Sequence, residues 1–374
     1  GDPKLAYQLA SRHFLTTGSA YADLEWLSGY IALRKLNDPA TALGHFLRFD
    51  KAILSPISKG RAGYWIGRAY DALDDPAQAD QAYIDAAQHQ TSFYGLLAAE
   101  RAGLAFDFDL VADDPLPDWR GSDMAKSPLF EAGLLLQASG ELDVAERFWT
   151  HYAESLELYQ AGQLGRAAID VSQPHLAVMI GKRLAQRAIV LPEPYYALHP
   201  IAYRNLPMAP EMVLAIARRE SEFDPKVQSG VGARGLMQIM PETAKEVAAG
   251  LGRSDEHTTF RLISDPEYNA KLGAAFLSTL AGRFDGNVVM MSAAYNAGPS
   301  RPLRWAEMYG DPRGQMDVVD WIEQIPFRET RNYVMRVTES LPVYRARLGK
   351  TPLPIGFTEE LKGSTLLAFA PKGE

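Results

Sequence analysis

The tripeptide Asp-Pro-Ala occurs twice, at Asp38-Pro39-Ala40 and at Asp75-Pro76-Ala77, 37 residues apart. The same shift aligns Ala32 with Ala69, Leu36 with Leu73, Ala42 with Ala79, and Phe46 with Tyr83. Proline is tolerated at a helix start but not inside one, so each Asp-Pro marks a turn and a fresh helix. Small alanines let paired helices approach, and the aromatic closes the far end of the second helix. A looser third copy runs through Leu134-Leu135-Leu136, a turn at Ser139-Gly140, then Ala145 and Trp149. A helix–turn–helix unit with a period in the mid-thirties implies a tetratricopeptide-like stack of hairpins, a superhelix. An irregular helical array is the other reading, and in both the class is all-α.

Composition narrows the rest. A chain of 374 residues can bury two or three cores, and its 47% apolar and 22% charged residues are ordinary for a globular protein. No apolar run approaches the roughly 18 residues that suggest a membrane span. The first residues, Gly-Asp-Pro-Lys-Leu-Ala-Tyr, hold no basic-then-apolar signal sequence. There is no cysteine, and the seven histidines show no close pair at ligand spacing, so no metal is expected. The net charge of −8 is uneven: residues 1–200 carry 17 Lys/Arg against 25 Asp/Glu, residues 201–350 carry 19 against 18. An acidic first half argues against a nucleic-acid partner. The stretch 111–127, rich in Asp and Pro, reads as a long loop, and the prolines between Leu191 and Pro200 read as a domain junction.

Chemistry concentrates after that junction. Pro210 and Glu211 suit the first turn of a helix, and Val213, Ile216, Ala217 and Glu220 share one face of it. A carboxylate on an apolar face loses solvation of its charged form, so its pKa rises and it can hold a proton near neutral pH. Glu220 therefore reads as a general acid. Glu222, two residues on, points away, and Asp224 before Pro225 looks like a helix-end residue, so no second carboxylate faces it. Gly230-Val-Gly232-Ala-Arg-Gly235 satisfies Gly-x-Gly-x-x-Gly by letter, but a helix rather than a strand precedes it, so no nucleotide cofactor is expected. The glycines instead allow turns that bring Gln238 and Met240 towards Glu220.

Four ordered segments carry a resemblance: Glu220-Ser221, then Gly235-Leu-Met-Gln-Ile-Met240-Pro, then Ala293-Ala-Tyr-Asn-Ala-Gly298, then Pro326-Phe-Arg-Glu-Thr-Arg-Asn-Tyr-Val334. In this order the chain resembles the soluble lytic transglycosylases of bacterial cell walls, by motif over roughly 200–348. Ser92 to Ala98 and His199 to Arg204 look like segments of their superhelical members. The resemblance implies a mainly α fold, with a helical-hairpin superhelix at 1–190, an α-rich lysozyme-like catalytic domain at 191–350 and a tail at 351–374.

It further implies a periplasmic enzyme that cleaves peptidoglycan between N-acetylmuramic acid and N-acetylglucosamine without water, closing a 1,6-anhydro ring. One glutamate, matching Glu220, would act as acid and then as base, with no cofactor. Ser221, Ser229, Gln238, Met240, Tyr295, Asn296, Glu329 and Tyr333 match positions that line the sugar cleft. Tyr295 would hydrogen-bond Glu220 or an N-acetyl group, Arg331 would pair with Glu329, and Tyr333 would line the cleft or pack inside. Trp305 and Trp321 read as core. Arg219 stands where a glutamine is common in the family, and Arg234 and Ser300-Arg301 also depart from its pattern. Two other readings stay open: a goose-type muramidase that adds water across the same bond, and a wall scaffold that docks a protein partner on the repeats.

Overall fold

The computed structural model describes residues 1–111, 118–187 and 189–371. Positions 112–117 of the Asp- and Pro-rich stretch and the last three positions of the tail lie outside the described residues. The chain forms two compact units, Gly1–Asp107 and Phe108–Glu374.

The first unit holds α1 (Pro3–Ser11), α2 (Ser19–Lys35), α3 (Pro39–Lys51), α4 (Pro56–Asp71), α5 (Pro76–Ala87) and α6 (Phe93–Arg101). Both Asp-Pro pairs act as expected. Asp38 accepts the Thr41 amide and Asp75 accepts the Gln78 amide, each capping a helix whose first residue is proline. The aligned Ala32, Ala42, Ala69 and Ala79 are buried, as are Phe46 and Tyr83.

What makes the hairpins close-packed is a glycine opposite each aromatic. A Cβ on Gly29 would lie 2.6 Å from the Phe46 ring, and one on Gly67 would lie 2.4 Å from Tyr83. The looser third copy, in the second unit, repeats this: a Cβ on Gly133 would meet the Trp149 indole at 2.1 Å. Trp149 also donates its indole N–H to the Phe130 carbonyl, which fixes the ring in that notch.

The second unit begins with α7 (Pro128–Ala138), α8 (Leu142–Ser155), α9 (Leu158–Asp170), α10 (Pro174–Ala185) and the short α11 (Pro192–Tyr195). It continues with α12 (Pro210–Ser221), α13 (Pro241–Gly250), α14 (Arg261–Ser264), α15 (Pro266–Arg283) and α16 (Val288–Ala297). Then come α17 (Ser300–Tyr309), α18 (Val318–Gln324), α19 (Arg328–Arg347) and α20 (Phe357–Lys362). Among the described residues β pairing is limited to isolated bridges from Gln228 to Arg234 and from Arg234 to Ile239. None of the described helices is long and apolar enough to cross a membrane. The proline-punctuated passage near 191–200 forms α11 and a tight turn, Pro200–Tyr203, within this unit.

Helix α12 runs through the centre of the unit, with every residue from Glu211 to Ala217 buried. Its start is pinned by charge. Arg345, late in α19, reaches Glu211 at 3.2 Å and binds both carboxylate oxygens of Glu360 in α20; Lys350 reaches the other Glu211 oxygen at 2.7 Å. Residues 351–371 thereby pack back onto the unit. Phe357 and Leu361 are buried, and the side-chain amide of Asn287, which caps α16, donates to the carbonyls of Leu361 and Gly363.

Candidate active site

Glu220 lies in the last turn of α12, whose apolar face carries it inward as the spacing predicts. It is largely buried, and burial lifts its carboxyl from 4.5 to about 7; a hydrogen bond from Tyr333 and the charge of Arg219 pull the other way. The Tyr333 hydroxyl donates to Glu220 Oε1 at 2.6 Å. Burial and the neighbouring Glu220 charge hold the Tyr333 phenol well above its usual range, so it stays a donor when Glu220 ionises.

Of the two partners expected for Tyr295, Glu220 is not the one its hydroxyl reaches; it donates instead to the Met237 carbonyl at 2.8 Å. The tuning tyrosine is thus Tyr333, reached from α19, while Tyr295 of α16 holds the loop 224–240 in place. Ser221 helps to hold the same loop, since its hydroxyl donates to the Leu236 carbonyl at 2.6 Å. Asn269, fully buried in α15, takes the Met237 amide on its oxygen and gives its amide hydrogens to the carbonyls of Arg234 and Leu262. Gly235 sits beside it at φ +74°, and a Cβ there would come within 2.0 Å of the Leu262 carbonyl, so only glycine fits.

The other expected cleft residues divide by what they touch. Gln238, at φ +46°, gives its amide hydrogens to the carbonyls of Val227 and Gly235 and so braces the loop from within. The Ser229 hydroxyl accepts the Ala233 amide across the Gly-rich turn. Met240 is 36% exposed at the N-terminus of α13. Asn296 accepts a hydrogen bond from Thr330 at 2.6 Å, tying α16 to the first turn of α19. Glu329, in that same turn, is exposed, and its charge is felt by Glu220. Arg331 turns away from it and donates to the Glu323 carbonyl. Trp305 and Trp321 are buried and in ring contact, as core. Among the described residues no group of three or more His, Asp or Glu is arranged to hold a metal.

Both nearby carboxylates are engaged elsewhere. Glu222 caps α12 in the left-handed conformation and its carboxylate pairs with Lys182 of α10. Asp224 accepts the Lys226 amide in a local turn. Sequence reasoning missed His175, also on α10. Its Nδ1 faces the Glu222 carbonyl at 2.9 Å and its Nε2 faces Glu146 at 3.2 Å. Both partners are acceptors, so the doubly protonated ring satisfies both. Burial opposes that charge, yet these bonds carry the His175 pKa above 6.5. Helix α10 thus grips the chain two residues beyond the buried acid.

Residues 202–317 match the family described as Transglycosylase SLT domain. The soluble lytic murein transglycosylase of Escherichia coli K12 is 32% identical over 284 residues, covering 72% of this chain and 41% of that protein. The chain belongs to the soluble lytic transglycosylase family. A putative soluble lytic murein transglycosylase of Haemophilus influenzae is 28% identical over 283 residues, covering 74% of this transglycosylase-family chain and 46% of its own length. The crystal structure of the 70 kDa soluble lytic transglycosylase from Escherichia coli superposes with a TM-score of 0.72 at 26% identity, covering 94% of this chain and 57% of that one. An inactive glutamate-to-glutamine mutant of the Pseudomonas aeruginosa enzyme gives a TM-score of 0.64 at 25% identity, covering 95% and 62%. The chain therefore spans less than half of these two curated relatives and under two thirds of the two solved ones. Its fold class is the expected one: mainly α, with helical hairpins ahead of a lysozyme-like domain.

Proposed function

We propose that this chain is a lytic transglycosylase that cleaves peptidoglycan between N-acetylmuramic acid and N-acetylglucosamine, with Glu220 as its acid and base. The observation that carries the reading is a single buried carboxyl held near pH 7 by burial and bonded to a phenol, with the two neighbouring carboxylates engaged in other bonds. Protonated Glu220 gives its proton to the glycosidic oxygen as the bond to the muramyl anomeric carbon breaks. The resulting carboxylate takes the proton of the muramyl 6-hydroxyl as that oxygen attacks the same carbon. A 1,6-anhydro ring closes, Glu220 is again protonated, and no water is consumed. Such substrate assistance replaces the second carboxylate that most glycosidases require.

Ser221, Gln238, Tyr295 and Asn296 then shape the cleft by bracing the loop 224–240 and the start of α19, while Ser229, Met240 and Glu329 are assigned to substrate contact. We assign the catalytic domain to 191–350, the hairpin scaffold to 1–190 and the tail to 351–374. Peptidoglycan as substrate places the work in the periplasm, with a cell-wall protein as a partner for the hairpins. The test is digestion of purified sacculi followed by mass spectrometry of the released muropeptides. Products lighter by one water than hydrolytic ones, absent with Glu220→Gln, are expected. Hydrolytic masses, or equal release by Glu220→Gln, would overturn the reading.

A further inference from the structure

Arg219 precedes Glu220 on the last turn of α12 and is half-buried. Its Nε is shut off from solvent and has no hydrogen-bond partner among the described residues. The guanidinium carbon lies 5.9 Å from the centre of the Tyr333 ring, the ring whose hydroxyl holds Glu220. Arg218 is engaged by the Tyr195 carbonyl and two tyrosine faces, Arg331 by Glu323, and Arg345 by Glu211 and Glu360; Arg234 Nε, in the loop that follows, is buried without a hydrogen bond as Arg219 Nε is. A buried N–H without an acceptor is unfavourable, and a half-buried guanidinium still offers its remaining N–H groups to a carboxylate through two parallel bonds. Glu220 cannot be its standing counter-ion, because the proposed chemistry starts with that carboxyl neutral. Glu329 is exposed and its charge raises the Glu220 pKa, while the charge of Arg219 lowers it, so a cation and an anion both act at this position.

We infer that Arg219 is a specificity residue that binds a carboxylate of the glycan substrate beside the scissile bond. The inference rests on the transglycosylase reading and adds the ligand chemistry. Two substrate groups supply that chemistry: the lactyl carboxylate of muramic acid once its peptide is removed, and the free carboxylates of an unamidated peptide stem.

Three strand preparations separate them: peptide-free strands, strands with unamidated stems, and strands whose stem carboxylates are amidated. At one fixed pH, kcat/KM is measured on each for the native protein, Arg219→Gln and Arg219→Lys, with thermal unfolding of each variant. The native protein is expected to favour one carboxylate-bearing preparation over the amidated one by about tenfold or more, as a desolvated charge pair implies. That ratio collapses towards one in Arg219→Gln and survives in part in Arg219→Lys; the favoured preparation identifies the source. No preference in the native protein, or an undiminished ratio in a folded Arg219→Gln, would overturn the inference. Absence of release from all three by the native protein would instead sink the activity reading, and this inference with it.

Discussion

Replacing Tyr333 with phenylalanine removes one oxygen and leaves the ring that packs beneath Glu220. The lost bond is short, 2.6 Å, and sits in a desolvated pocket where it favours the ionised carboxylate. A hydrogen bond to a charged group contributes about 1.5–3 kcal/mol, and each pH unit corresponds to about 1.4 kcal/mol, so the carboxyl pKa should rise by about one to two pH units. The sign is fixed by the chemistry. In the proposed mechanism catalysis starts from the protonated acid, so kcat/KM of the native protein should fall as pH rises past about 7. In Tyr333→Phe that alkaline limb moves upward. The assay is the pH profile of kcat/KM for anhydro-muropeptide release, with Tyr295→Phe as control, since its hydroxyl serves the Met237 carbonyl instead. An unmoved limb in Tyr333→Phe, or a larger shift in Tyr295→Phe, would refute the assignment of the tuning tyrosine.

Three further outcomes follow from the same contacts. A carboxyl raised from 4.5 to about 7 keeps its full contribution to stability below pH 4.5 and loses it as pH rises through 7. Glu220→Gln should therefore match the native protein in thermal unfolding near pH 4.5 and exceed it above pH 7, by up to about 3 kcal/mol. His175, a base with a raised pKa, adds stability that is complete below pH 6.5 and fades as pH climbs through the folded value. His175→Ala should cost about 2 kcal/mol in acid and less in alkali, and should lower kcat more than it alters KM, measured by unfolding and steady-state kinetics. Arg345→Met leaves Glu360 and half of Glu211 buried without their cation, and urea unfolding should show a loss of about 3–5 kcal/mol.

Sequence spacing is enough for features that act within one helix. The Asp-Pro starts, the inward face of Glu220 and the outward turn of Glu222 each depend on local periodicity. Features that depend on how helices cross are not readable that way. Tyr295 and Tyr333 sit on different helices, and only the packing of α19 against α12 and α16 decides which phenol reaches the acid. Asn269 carries a faint signal, an amide in an apolar helix just after its Asp-Pro start, but nothing in the spacing tells which carbonyls it serves. The glycine notches opposite Phe46, Tyr83 and Trp149 stand in plain view at separations of 16 or 17 residues, yet a missing side chain leaves no pattern of its own. Glu211 reads only as a charge that suits a helix start; its burial follows from two cations more than a hundred residues away.

That last pairing bears on how the protein is made. Glu211 and Arg345 are 134 residues apart, and Glu360 lies further still. A contact this distant in sequence forms late, because its loop must close before it is rewarded. During synthesis Glu211 in the first turn of α12 has neither counter-ion until Arg345 and Lys350 have left the ribosome. The hairpins can fold as they emerge, since their contacts are local, but the helix bearing Glu220 stays unanchored until those cations arrive. The packing around Glu220 should thus be completed in one late step, once Arg345 and Lys350 have emerged.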